Sequence, residues 1–324
     1  MQQLDFSWKN LIEKELATKK GFTAIGYAAY SKKRYVDNKV IATFIPGQIN
    51  EVARKHLQIQ PEKNGMFTLT SESPMIYYWS NTFDVNNLLD YYEKNNSEGG
   101  GLGGLIDTVE ATSQTSLRAI VSYLGEQVSF IAESAAADSY FELPLFLTAW
   151  QLHDGVAFQS VIEKLVASYQ ISIINNRYGP VVYYYWAQAP QDGIFPLYGF
   201  WQNYFFFGNS LSLFKKVIDN QTKDMSLVEL PEVRTVDPGF SLANNSVTYF
   251  DNGELIAVLR KFFNMIGTLV AIEDKEIARK FTILVDEIID PLLEGAAMYT
   301  RTGTRSYFLS DAVVIESRTS LEKY

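Results

Sequence analysis

Phe44-Ile45-Pro46-Gly47-Gln48-Ile49-Asn50-Glu51-Val52-Ala53-Arg54-Lys55-His56-Leu57 aligns without gaps on Phe205-Phe206-Phe207-Gly208-Asn209-Ser210-Leu211-Ser212-Leu213-Phe214-Lys215-Lys216-Val217-Ile218, 161 positions later. Each stretch reads as the end of an apolar strand, a glycine turn and a short amphipathic helix. Basic residues fall toward the helix end, where they suit the negative pole of the helix dipole. An internal repeat of this kind governs every other reading of the fold.

Two shorter matches lie on either side. Trp8-Lys9-Asn10-Leu11-Ile12-Glu13-Lys14 resembles Phe158-Gln159-Ser160-Val161-Ile162-Glu163-Lys164, 150 positions on, and Pro74-Met75-Ile76-Tyr77-Tyr78 echoes Ser246-Val247-Thr248-Tyr249-Phe250, 172 positions on. The offsets rise along the chain, as loop insertions would make them do. The sequence therefore predicts an α+β fold of two related units made by internal duplication, each an antiparallel sheet with packed helices. The first unit is residues 1–153 and the second 154–324.

Within each unit the expected order is helix, strand pair, glycine turn, helix, polar loop, strand and closing helices. The closing helices are expected at 84–94 and 114–124 in the first unit and at 253–267 and 274–290 in the second. In the last of these Ile277, Phe281, Leu284, Val285 and Ile288 recur at helical spacing. Further strands are expected at 127–132, 143–150 and 306–316. Val181-Val182-Tyr183-Tyr184-Tyr185-Trp186 is apolar or aromatic on both faces, which predicts a central strand or one lining a cavity. The 143–150 strand precedes the second unit, and nothing equivalent precedes Leu4. The expectation is a cut-away front or an incomplete first copy.

Composition bounds the function classes. The chain is 47% hydrophobic and 20% charged, enough apolar material for a core and too little charge for disorder. Its 20 Tyr and 21 Phe favour sheet. A net charge of -9 without a dense Lys/Arg cluster argues against a nucleic-acid partner. The absence of Cys removes disulfides, thiolate nucleophiles and thiolate metal ligands together. No unbroken run of 18 apolar residues appears, so no membrane-spanning helix is expected in this chain. Met1-Gln2-Gln3-Leu4-Asp5 is not the front of a signal peptide, which leaves an upstream anchor open.

From Leu143-Pro144-Leu145-Phe146-Leu147-Thr148-Ala149-Trp150-Gln151-Leu152-His153-Asp154 onward the chain resembles the bacterial domain-of-unknown-function family 3352. The pattern continues through the Tyr178-Gly179 turn, the aromatic strand, and Phe207-Gly208-Asn209-Ser210 before Lys215-Lys216-Val217-Ile218-Asp219. It is a loose pattern over residues 65–316. The resemblance implies an exported or N-terminally anchored protein, located in the periplasm or cell envelope, and supplies no catalytic residues.

Few residues offer chemistry. Gly99-Gly100-Gly101-Leu102-Gly103-Gly104 contains the glycine spacing of a dinucleotide loop, but Glu93-Lys94-Asn95-Asn96-Ser97-Glu98 before it is no buried strand. A mobile insertion is the expectation. Asp154 reads as a helix N-cap rather than as half of a His153-Asp154 metal doublet, since His56 is the only other histidine. The carboxylates Glu273, Asp274 and Glu276 suit a helix start, and Asp286, Glu287, Asp290 and Glu294 a solvated helix face. No catalytic residue, metal site or cofactor is expected.

The aromatic run is the feature with functional reach. Tyr183, Tyr185, Trp186, Trp201 and Tyr204 read first as core and second as a ligand or partner surface. The functional expectation is a non-enzymatic extracytoplasmic protein that binds a protein partner or scaffolds an assembly. Its alternative is a carrier of an apolar or aromatic ligand in a cleft between the units, and the third reading is a hydrolase. A contiguous exposed apolar patch would favour the first, an apolar cavity the second, and converging carboxylates or His the third.

Overall fold

The computed structural model describes residues 20–86, 89, 101–135, 143–187, 195–273 and 275–322. Twelve strands form one sheet: β1 (Phe22–Lys32), β2 (Tyr35–Phe44), β3 (Ile76–Ser80), β4 (Leu124–Glu133), β5 (Leu145–Leu152), β6 (Ile173–Tyr178), β7 (Val181–Trp186), β8 (Leu197–Trp201), β9 (Tyr204–Gly208), β10 (Ser246–Asp251), β11 (Tyr299–Phe308) and β12 (Ala312–Leu321). Their spatial order is β1-β2-β12-β11-β10-β3-β4-β5-β9-β8-β7-β6. All neighbours are antiparallel. The α+β class is thus as expected, but two separate sheets are not formed. β3 and β10 pair with each other, from Ile76↔Phe250 to Ser80↔Ser246, and so remove the two edges that separate sheets would expose.

Because side chains alternate along a strand, the sheet has two differently covered faces. On the first, Tyr77, Trp79, Ile131, Leu147, Tyr183, Leu197, Phe206 and Tyr249 form the main core with Leu213, Phe214, Val217 and Ile218 of a helix, Leu211–Thr222. That helix starts where the Ser210 hydroxyl accepts from the Leu213 amide at 3.2 Å. Its four buried apolar residues fall at i, i+1, i+4 and i+5, one stripe turned to the sheet. Each such burial stabilises by roughly 1.5–3 kcal/mol, so Phe214→Ala would be among the costlier single changes.

On the second face, helices Leu117–Ser122 and Gly155–Ser168 bring Ile120, Phe158 and Val161 against Leu152, Phe200 and Phe205. Asp154 caps the second of these, accepting from the Ala157 amide at 2.9 Å, as its place in the sequence predicts. Farther along this face lies a long helix, Asn252–Glu273, with Leu255 and Val258 against Met75, Ile76, Phe130 and Phe146. It turns back through Lys275–Leu284, a π-helical turn Val285–Ile289, and Asp290–Ala297. Pro291 in the first turn of that last segment has no amide to donate, and the helix runs past it without a break, the π-helical turn lying just before it.

Several expected elements shift. The two aligned stretches both run from strand through turn into helix, with caps at Asn50 and Ser210. Those caps stand 160 positions apart, one short of the ungapped match. Expected strand 306–316 is a hairpin of β11 and β12 broken at Leu309–Asp311, because the chain must reverse to pair β12 with β2. β7 is next to the edge strand β6, not central: Tyr184 stacks on Tyr198 across β8 at 4.9 Å, so the aromatics cover one another. Gly101–Ser113 is helical, so the second half of the glycine run is a helix start rather than a loop. Its Val109 packs on the Ile120–Phe158 cluster, which offsets the conformational cost of the glycines. Gly99, Gly100 and most of the expected 84–94 helix lie outside the described residues.

Candidate functional site

The five aromatic candidates divide between the faces. Tyr183 is buried against Phe214 (ring centroids 5.5 Å apart), with Tyr185, Trp201 and Tyr204 partly buried around the same core. Trp186 sits on the opposite face and is 36% exposed. Burial raises the Tyr183 and Tyr204 hydroxyl pKa values, and that of Tyr198 to about 12, so none ionises near neutrality.

Beyond β10 the first face changes from apolar to charged. Glu316 on β12 lies directly between Lys39 on β2 and Arg305 on β11. Its carboxylate accepts from Lys39 Nζ and Arg305 Nε, each at 2.8 Å. One row on, Arg318 Nε donates to Asp37 Oδ1 at 2.7 Å. Burial alone would raise the Glu316 pKa; the Lys39 and Arg305 hydrogen bonds and charges outweigh it and hold the group below its ordinary value. Arg305 also reaches Gly239 O and Asn244 Oδ1. Every member is thereby committed to a neighbour, so the ladder solubilises this half of the face.

The two histidines are apart in role. His56 packs on Phe308 at 5.4 Å, and burial lowers its pKa against the opposing charge of Asp84. His153 Nε2 stands 3.5 Å from Glu126 Oε2 on the surface. Among the described residues no three His, Asp or Glu side chains converge as metal ligands.

Grooves open among the described residues at several places. One of about 550 Å³ lies between helix Glu51–Leu57 and the β11–β12 turn, lined by Phe44, Ile49, Arg54, Leu57 and Phe308. Two more flank helix Asn252–Glu273 on the second face. On one side Tyr27, Val36, Leu293 and Tyr299 bound about 560 Å³. On the other, Met75, Phe130, Phe146, Leu259 and Phe262 bound about 440 Å³. The polar group in this last groove is the Asn209 amide, whose Oδ1 accepts from Phe146 N at 2.7 Å while its Nδ2 donates to Pro144 O at 2.9 Å. Such a lining can take up apolar surface and offers no acid, base or nucleophile. None of the five aromatic candidates lines any of these three grooves.

The helical hairpin between the two grooves is poorly covered. Over Asn252–Ile272 the mean hydropathy is 1.7, yet 11% of that window is buried. By length and composition this helix could cross a bilayer. A search for an unbroken apolar run passes over it because Arg260 and Lys261 interrupt. Leu269 is 56% exposed, Ile272 78%, Ile277 55% and Leu292 68%. The apolar spacing was legible in sequence; that it stays this exposed among the described residues was not.

No protein-family model matches the chain. No curated protein matches it either. Among solved structures, crystal form I of TP0453 covers 78% of this chain and 78% of its own at 10% identity, with a TM-score of 0.33. That likeness is too loose to carry an assignment.

Proposed function

We propose that this chain is a non-enzymatic binding protein of the cell envelope whose working surface is the apolar hairpin of residues 252–297. The supporting observation is the exposure of Leu269, Ile272, Ile277 and Leu292 on helices whose buried side chains among the described residues are Ile256, Val258 and Val285. Exposed apolar area on this scale marks interaction surfaces. The extracytoplasmic location, and membership of family 3352, belong to the same proposal and rest only on the loose resemblance of residues 65–316 to that family. A protein without Cys takes a unique label readily. An environment-sensitive dye on Ile277→Cys should shift to the blue with a cell-envelope fraction, and one on Asn175→Cys of β6 should not. An unshifted spectrum at Ile277 removes the reading.

The same reading includes duplication. Outward from the β3–β10 pair, each side of the sheet gives a three-strand meander and then a hairpin from the other half of the chain: β3-β4-β5 then β9-β8, and β10-β11-β12 then β2-β1. Both hairpins lead into a capped helix. Superposition of an experimental structure on itself, failing to bring residues 35–80 onto 204–251, would remove this part.

A second reading, a carrier of an apolar ligand, rests on the 440 Å³ groove. Its walls come from β3–β5 of the first half and the 252–273 helix of the second, so it is a cleft between the two units. Displacement of a groove-bound apolar dye by a fatty acid, abolished by Phe146→Asp, would support it; no displacement would remove it.

A further inference from the structure

The two sides of the sheet differ in how their second face is covered. Phe158 and Val161 of helix Gly155–Ser168 lie against Leu152 of β5, Phe205 of β9 and Phe200 of β8. Counted outward from the β3–β10 pair, the strands in the same places on the other side are β12, β2 and β1. Two apolar rows cross these strands on the second face, Ile25–Ala42–Val313 and Tyr27–Val40–Ile315. Among the described residues they stay open: Ile25 is 75% exposed, Tyr27 68% and Ile315 40%. An apolar sheet face is stabilised only when another layer packs on it.

Resting on the reading of the chain as a duplication, we propose that the segment Leu4–Lys14 lies across this face as the counterpart of helix Gly155–Ser168. These residues lie outside the described ones; their sequence and their tether point to this surface. Trp8, Leu11 and Ile12 align on Phe158, Val161 and Ile162, the residues through which the covering helix packs on its own side. With Leu4 they fall at i, i+4, i+7 and i+8, the spacing of one helical stripe.

The tether limits which surface the segment can take. Residues 15–21 join it to Phe22 at the start of β1 and reach at most about 25 Å when extended. Ile25 lies about 10 Å from Phe22 at the rise of a strand. β9 is ninth in the sheet order where β1 is first, which puts Phe205 roughly 38 Å away at the spacing of paired strands. The segment therefore cannot serve the cluster that helix Gly155–Ser168 already covers. Tyr27 also bounds the groove of about 560 Å³ beside the 252–297 hairpin. That hairpin is the competing surface within reach.

The chain has no Cys, so paired cysteines report proximity without background. In the full chain a short bismaleimide should join Ile12→Cys to Ile25→Cys within one molecule, read by mass spectrometry of the monomer fraction. It should not join Ile12→Cys to Ile277→Cys on the hairpin or to Asn175→Cys on β6. Adding Trp8→Ser/Leu11→Ser should cut the link to Ile25→Cys roughly tenfold or more, because two apolar anchors are lost. The circular dichroism of the sheet should stay unchanged. Absence of the Ile25 link, a link to Ile277→Cys in its place, or links formed only between chains would overturn the proposal. If the link is absent while residues 35–80 superpose on 204–251, the duplication stands and the cover falls. If the link forms while that superposition fails, the cover stands and the duplication falls.

Discussion

Tyr77 and Tyr249 stand directly opposite each other where β3 and β10 join the two sides of the sheet, both buried on the same face. They are also the matched positions when residues 74–78 are aligned on 246–250. Outward from the pair, Tyr77 faces Ile131 and Tyr249 faces Gly303. The row Ile131–Tyr77–Tyr249–Gly303 crosses the centre of the molecule.

Tyr77 anchors this row through its hydroxyl, which donates to Met66 O at 3.0 Å and accepts from Asn64 Nδ2 at 3.1 Å. Burial drives its pKa far up, so it stays a neutral donor throughout the working pH range. Tyr77→Phe leaves a buried carbonyl and amide unsatisfied. A loss of about 1–3 kcal/mol is expected in urea unfolding; a change within error would mean that water replaces the hydroxyl.

Gly303 allows the 235–245 segment to cross β11 closely. A Cβ there would lie 2.2 Å from Val236 O and 2.9 Å from Phe240 Cζ. The first is backbone and cannot swing aside. Gly303→Ala should cost about 1–3 kcal/mol through displaced backbone, read by thermal or urea unfolding. Retention of full stability would show that the segment can lift off the sheet.

The Lys39–Glu316–Arg305 row makes stability depend on acid. Glu316 has a folded pKa below its ordinary 4.5, so its contribution is complete above that value and is lost as pH falls through the folded one. Between about pH 5 and about pH 3 the urea midpoint should fall more steeply in the wild type than in Glu316→Gln. Parallel pH profiles would remove Glu316 from the acid response.

How much of this was legible in sequence differs by element. The strand–turn–helix reading of 44–57 and 205–218 needed only local pattern, and the caps agree to one residue. Val181–Trp186 was legible as a strand, but its position depends on which strands pair across long intervals, which no local pattern encodes. The single sheet escaped for the same reason: the β3–β10 pair joins residues far apart in the chain. At the candidate site, helical spacing at Ile277, Phe281 and Leu284 was visible. Amphipathicity presumes a partner layer, however, and only the fold shows that Ile277 stays 55% exposed among the described residues.

The glycine run gives the sharpest contrast between a loop and a helix. Gly104 lies in the first turns of helix Gly101–Ser113, its carbonyl accepts from Thr108 Oγ1, and an added Cβ would meet nothing within 4 Å. In a helix, Gly→Ala stabilises because Ala loses less backbone freedom on folding. In a mobile loop that gain cancels, since the folded chain would be as free there as the unfolded one. Gly104→Ala should therefore raise stability by about 0.5–1 kcal/mol in urea unfolding. It should leave the slope of the transition unchanged, because no additional surface is buried. A null effect on the midpoint would restore the loop; a loss would mean that Gly104 holds a backbone conformation open only to glycine.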